Sequence, residues 1–340
     1  MTTHTPDAAD QPDALPDFSS LDPRRVIALV EDTLDRPATS MCRSLTSYIN
    51  RVYEVRMADD SWVIAKFYRP HRWSLDALQD EHDFLCELRD AEVPVIAPLP
   101  AADGPDDATL HLHDGLAYAL FPKRGGRPLE EPLADQWAEL GRLLARVHSV
   151  GAQHPPNDRI TIGPRDSAAD HLEYILRSNV LPSEWRRPYE TAARNVLELI
   201  EPLFDDREQL RIHGDLHGAN LLSRPGEPLF LIDFDDMAVG PPVQDLWMLL
   251  PGYSRACRRE IDLLLDGYCQ MRDFDFPSLR LIEPLRALRF LHFTAWCARQ
   301  KADGGFTRLA PDWGSGAWWR QEIEDLQNQG GEIESALENP

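Results

Sequence analysis

The first clear periodicity falls at 24–34, RRVIALVEDTL, where Val26, Ile27, Leu29, Val30 and Leu34 recur at helical spacing. The texture then turns to short apolar runs. Ser47 to Met57 leads through an Ala58-Asp59-Asp60-Ser61 turn into the strand WVIAKFY, which predicts a hairpin. A helix is expected from about Ser74 to Arg89, with Ser74 as N-cap and Asp76 in its first turn, and Glu92-Val93-Pro94 ends it. Strands over about 108–113 and 116–121 flank an Asp114-Gly115 turn.

A Pro/Gly-rich piece, 121–128, reads as an interlobe hinge. Beyond it the periodicity is helical, at about 134–149, 168–178, 184–203, 243–251, 257–272 and 278–300, interrupted by a β-like stretch at 210–235. The expected organisation is a tail over 1–23, a sheet-rich N-lobe over 24–122 with one inserted helix, and a helical C-lobe over 123–340. The first twenty residues carry no periodicity and read as a mobile acidic tail.

Composition narrows the function classes. A hydrophobic content of 43% supports a packed core, and a formal net charge of −22 argues against nucleic acid as a partner. Lysine occurs only at 66, 123 and 301, so each position draws notice. Cysteines 42, 86, 257, 269 and 297 are scattered and odd in number, which suits reduced thiols. With no signal-like start and no apolar run of about 18 residues, a soluble cytoplasmic protein is expected, with no membrane association.

The chemistry concentrates in the interruption. Ile212-His213-Gly214-Asp215-Leu216-His217-Gly218-Ala219-Asn220-Leu221-Leu222 is followed by Leu229-Phe230-Leu231-Ile232-Asp233-Phe234-Asp235-Asp236. The apolar runs flank Arg224-Pro225-Gly226-Glu227, a turn signal, so they are expected to pair as a hairpin. Pairing brings Asn220 beside Asp233, with Asp215 on the loop before them. Phosphoryl transfer uses this set: one carboxylate to orient the acceptor hydroxyl and take its proton, and hard oxygen ligands for magnesium on ATP. The spacing matches the H-R-D-x-x-x-x-N catalytic loop, with Gly214 in place of the arginine and Asp233-Phe234-Asp235 in place of D-F-G. His213 reads as a loop brace. A zinc site of His213, His217 and the aspartates is the alternative, which the sulfur-free set and the nearby Asn suit less well.

Lys66, in Val63-Ile64-Ala65-Lys66, sits close to the strand signature whose lysine binds the α/β-phosphates. Glu81 is its expected ion-pair partner, with Asp80 and Asp83 as alternatives. No glycine-rich G-x-G-x-x-G loop is present; the equivalent is 44–53, SLTSYINRVY. Phe121, where the hinge begins, joins Lys66 and Glu81 as expected ATP-contacting residues.

The H-G-D-x-x-x-x-N form resembles the aminoglycoside and choline kinase branch of the kinase superfamily. More particularly, Ser47-Tyr48-Ile49-Asn50-Arg51-Val52-Tyr53, Lys66-Phe67-Tyr68-Arg69-Pro70-His71-Arg72-Trp73, 93–98, 240–250 and 282–287 resemble, in order, the bacterial stress response kinase A family. The resemblance covers roughly 24–325. It implies an α+β, bilobal protein-kinase-like fold of the aminoglycoside phosphotransferase type, with an antiparallel-sheet N-lobe and a helical C-lobe. It also implies a monomeric, cytoplasmic enzyme that uses ATP and magnesium to phosphorylate Ser/Thr on proteins and on itself during stress. By motif, Asp215 matches the proton acceptor, Asn220 and Asp233 the magnesium ligands, Asp233 also an active residue, and Ser47 an ATP-contacting serine. Asp245 matches an aspartate that braces the catalytic loop. Ile49 departs from the pattern, standing where an acidic residue is expected. Small-molecule kinases and a nucleotide-binding pseudokinase are the alternative readings, since fold alone does not choose a substrate.

Overall fold

The computed structural model describes residues 18–103, 108–129, 131–205, 207–301 and 306–338. Most of the tail expected over 1–23 therefore lies outside the described residues. The described residues divide into two compact units, one within Met1–Leu75 and Pro98–Lys123, the other within Asp76–Ala97 and Arg124–Pro340.

The first unit opens with α1 (Pro23–Leu34), whose N-cap Asp22 accepts from the Arg24 and Arg25 amides with Pro23 at the first helical position. β1 (Ala38–Leu45), β2 (Arg51–Met57), β3 (Trp62–Phe67), β4 (His111–His113) and β5 (Leu116–Pro122) form one antiparallel sheet in the order β1-β2-β3-β5-β4. Val26, Leu29 and Val30 of α1 share a core with Tyr53, Val55, Met57, Phe67 and Leu120 of the sheet. The 58–61 hairpin turn forms where its residues predict. β1 is absent from the sequence reading: it is an edge strand with Ser40, Met41, Arg43 and Ser44 exposed in adjacent pairs, so it lacks the alternation that betrays a half-buried strand.

The second unit holds α2 (Leu75–Asp90), β6 (Arg127–Pro128), α3 (Ala134–Gly151), α4 (Ser167–Arg177), α5 (Ser183–Ile200), β7 (Leu210–Ile212), β8 (Leu221–Ser223), β9 (Phe230–Leu231) and β10 (Ala238–Gly240). It continues through α6 (Val243–Trp247), α7 (Arg258–Tyr268), α8 (Ile282–Gln300), α9 (Phe306–Leu309) and α10 (Gly316–Glu338). β7 pairs with β10, and β8 lies between β6 and β9. α3 and α7 cross closely at Gly141 and Gly267: a Cβ on either would come within 2.0 Å of a backbone oxygen of the other helix. Among the described residues no helix is long and apolar enough to cross a membrane.

α10 is the largest element the sequence reading omits. Gly330 and Gly331 each cost about 1 kcal/mol relative to alanine and read as a turn. Tertiary packing overrides them: Trp319, Ile323, Leu326 and Ile333 are all buried along one side of the helix. Trp319 meets Tyr189 of α5 edge to face, centroids 5.3 Å apart.

Glu322, also on α10, accepts from Thr294 Oγ1 at 2.6 Å, and its burial raises its pKa to about 7. A carboxyl raised in the folded state favours folding below its unfolded pKa, and that contribution is lost as pH rises through about 7. Glu322→Gln is therefore expected to stabilise the protein at pH 8, by an amount on the order of 3 kcal/mol at most, and to do little at pH 5. Denaturant melts at the two pH values check this; equal effects at both would contradict it.

Candidate active site

The loop after β7 is shaped by backbone geometry before any chemistry. Gly214 has φ +83°, and a Cβ there would lie 2.3 Å from the Asp236 backbone oxygen. Glycine thus stands where the related loop carries arginine because no side chain fits against the β9–β10 connection. Asp245, fully buried in α6, accepts from the His213 amide at 2.8 Å and the Gly214 amide at 2.9 Å, one on each oxygen. His148 Nε2 lies 3.1 Å from Asp245 Oδ2, and its Nδ1 lies 3.0 Å from the Tyr268 hydroxyl. Burial would raise the Asp245 carboxyl, but the His148 hydrogen bond and charge, the His213 charge and the Gly214 amide outweigh it. The Asp245 pKa is held below the ordinary carboxylate value. Gln244 adds a bond from Nε2 to the Gly214 carbonyl at 3.1 Å.

His213 is fully buried and donates from Nε2 to the Ile232 carbonyl at 2.9 Å, which ties the loop to the end of β9. Among the described residues, no group of three or more His, Cys, Asp or Glu side chains is arranged to hold a metal.

Asp215, Asn220 and Asp233 follow from this frame. β8 and β9 pair with Leu221 opposite Leu231 and Leu222 opposite Phe230, the hairpin that the 224–227 turn predicts. The Ile232 amide donates to the Asn220 carbonyl at 3.0 Å, which places Asn220 next to the residue preceding Asp233. Asn220 Nδ2 donates to the Asp215 carbonyl at 3.0 Å. Its amide oxygen is left as the atom for a cation. Asp233 is exposed and left-handed (φ 63°, ψ 65°), a conformation that aspartate tolerates better than most residues. One exposed carboxylate and one amide oxygen suit magnesium, which keeps several waters and shares substrate phosphates.

The Asp215 carboxylate has two further neighbours, Arg289, which the sequence reading left aside, and His217. Arg289 Nη2 of α8 is 2.7 Å from Oδ1, and His217 Nε2 is 3.7 Å from Oδ2. Arg289 belongs to no local motif, which is why the sequence did not reveal it.

In the first unit, the segment expected over the phosphates, 44–53, is the β1–β2 hairpin, with strand ends paired Ser44 to Tyr53 and Leu45 to Val52 around a loop braced by Arg69. Arg69 donates from Nε to the Ile49 carbonyl at 2.8 Å and from Nη2 to the Tyr48 carbonyl at 2.9 Å. Its amide donates to Asn50 Oδ1 at 3.0 Å. The two motifs around Asn50 and Arg69 thus form one clamp that fixes the loop carrying half-buried Ser47. Lys66 is nearly buried on β3, opposite Val52 and Ala119, with Nζ 4.7 Å from the Tyr68 ring centroid. Phe121, half-buried on β5, pairs with Ile64. Lys123 ion-pairs with buried Glu54 at 2.6 Å.

Glu81 is buried on α2 in the second unit, where Arg159 Nη2 meets it at 3.2 Å. Arg159 also donates to the Asp235 carbonyl and to the Ala77 carbonyl, each at 2.7 Å. Through this arginine α2 is tied to the Asp233-Phe234-Asp235 turn. Asp80, also on α2, accepts from the Asn157 and Asp158 amides at 2.8–3.0 Å.

A family model described as "Phosphotransferase enzyme family" matches residues 42–282. "Stress response kinase A" of Salmonella paratyphi A is 38% identical over 308 residues, covering 89% of this chain and 91% of that protein. The Salmonella typhimurium "Serine/threonine protein kinase RdoA" matches to the same extent. Among solved structures, an amicoumacin kinase complexed with AMP-PNP, Ca2+ and Ami superposes with a TM-score of 0.70 at 20% identity, covering 90% of this chain and 94% of that one. A microcompartment-associated aminopropanol kinase gives 0.67, also at 20%, covering 93% and 98%. The antiparallel sheet and the helical remainder accord with these likenesses: the chain belongs to the phosphotransferase enzyme family, alongside the stress response kinase A proteins.

Proposed function

We propose that this protein is an ATP- and magnesium-dependent protein serine/threonine kinase of bacterial stress response. The observation that carries the reading is Asp215 on a loop fixed by the buried Asp245, with Asn220 hydrogen-bonded to it and Asp233 one residue beyond the Asn220 contact. The Asp215 carboxylate orients the acceptor hydroxyl and takes its proton as that oxygen bonds to the γ-phosphorus and the bond to ADP breaks. Asn220 and Asp233 are the residues to hold magnesium, which when bound supplies neutralisation of phosphate charge. Lys66, Ser47, Phe121 and Glu81 are assigned to ATP binding, with 24–122 and 123–340 working as the two lobes. The acceptor assignment rests on the 38% identical relatives, two of which carry the names stress response kinase A and serine/threonine protein kinase. The solved kinases at 20% identity speak to the fold alone.

The test is transfer from labelled ATP with magnesium, to the protein alone, to myelin basic protein, and to aminoglycosides or choline. Label on protein hydroxyls is expected. Transfer to small molecules only would replace this reading with a small-molecule kinase, and ATP binding without transfer would replace it with a pseudokinase.

A further inference from the structure

Arg289 sets a cation against the atom expected to receive the acceptor's proton, in a chain whose formal net charge is −22. Its side chain remains about one-third exposed (32%), and its one ion pair among the described residues is the contact with Asp215. A guanidinium carries five N–H donors in a planar fork, so it can hold Asp215 and a second oxyanion together.

A place for that oxyanion exists beside it. Arg289 and His292 of α8, Ser167 and His171 of α4, and Gly214 and Gln244 behind the catalytic loop line a cavity of about 50 Å³. At about 10–15 Å³ for each water, this accommodates about three to five water-sized atoms, room for a carboxylate. Leu285, Leu288, Ile160 and Ile162 complete the wall. His171, 8% exposed, faces His292 Nδ1 through Nε2 at 3.1 Å, while its Nδ1 is buried without a partner. Both imidazoles are neutral at pH 7. Burial and then Arg299 lower His171 to about 4; burial and then Arg289 lower His292 to about 3, against the opposing charge of Asp236. Asp236 is the acid of the lining, so an anion belongs at the Arg289 end.

We propose that Arg289, with Ser167 and His171 in the cavity it lines, forms an acceptor subsite for an anionic group, a carboxylate or phosphate set a few bonds from the hydroxyl that is phosphorylated. This deepens the kinase reading and rests on it. A cationic acceptor would meet the Arg289 guanidinium beside Asp215 and be repelled by it.

The experiment measures kcat and KM for four acceptors: a serine peptide flanked by Asp and Glu, one flanked by Lys and Arg, glycerate, and ethanolamine. The wild type is expected to favour the anionic member of each pair at least tenfold, through KM. Arg289→Gln should bring the ratio near one, Arg289→Lys should retain part of it, and Arg289→Glu should invert it. A wild-type preference for the cationic members, or the same ratio in Arg289→Gln, overturns the proposal. So does an equal fall in kcat for all acceptors, which would make Arg289 a brace for Asp215 alone. Labelling of glycerate but of neither peptide supports the subsite and removes the protein-acceptor reading. If no acceptor is labelled, calorimetry decides: the acidic peptide or glycerate should bind Arg289→Gln at least tenfold more weakly, and equal binding overturns the subsite.

Discussion

Asp215→Asn is expected to lower kcat by about 10²–10⁴-fold while nucleotide affinity stays within a few-fold of wild type. The asparagine keeps the side chain's size but cannot accept the acceptor's proton. Loop geometry should survive, because Asn220 holds this residue through its backbone carbonyl and Asp245 holds the preceding amides. Loss of the carboxylate also releases Arg289. Single-turnover transfer measured beside nucleotide binding separates the two roles: loss of transfer with intact binding is the predicted pattern. Loss of both would make Asp215 structural, and near-normal transfer would remove it from the chemistry.

The second large effect is on stability. Asp245→Ala strands two buried backbone amides and leaves buried His148 without its carboxylate. Breaking a buried pair on one side costs about 3–5 kcal/mol, which for a unit of this size corresponds to roughly 10 °C in Tm. Transfer should fall with it, since the loop carrying Asp215 loses its anchor. The pH dependence has a definite sign. A carboxyl whose pKa is lowered on folding contributes fully above its unfolded pKa, and that contribution is withdrawn as pH falls through the folded value. Wild type should therefore lose stability on acidification below about pH 4 more steeply than Asp245→Ala. Melts across that range check it; parallel curves would show that the carboxylate is not the anchor.

How much of this was legible follows from where each signal resides. The β8–β9 hairpin and the grouping of Asp215, Asn220 and Asp233 are local: 25 residues of sequence contain the turn, both apolar runs and every polar group. The Asn50 and Arg69 motifs were visible as separate blocks, but their joining into one clamp needs the β2–β3 hairpin. Arg289, Arg159 and His148 were not legible as site residues. Each sits on a segment far along the chain and reaches the loop or the Asp233 turn only after helices pack. β1 and α10 escaped for opposite reasons: an edge strand shows no alternation, and a glycine pair interrupts a helix that burial of Trp319 and its neighbours sustains.

The proposed division of labour between Asp215 and the pair Asn220 and Asp233 is the central claim, and a magnesium titration of the transfer rate tests it most directly. Wild type, Asn220→Ala and Asp233→Ala are compared at saturating ATP, with circular dichroism confirming equal folding. Asn220→Ala is predicted to need markedly more magnesium for half-maximal rate, and Asp233→Ala to lose transfer at any magnesium concentration. Magnesium curves that superpose for all three proteins would contradict the assignment.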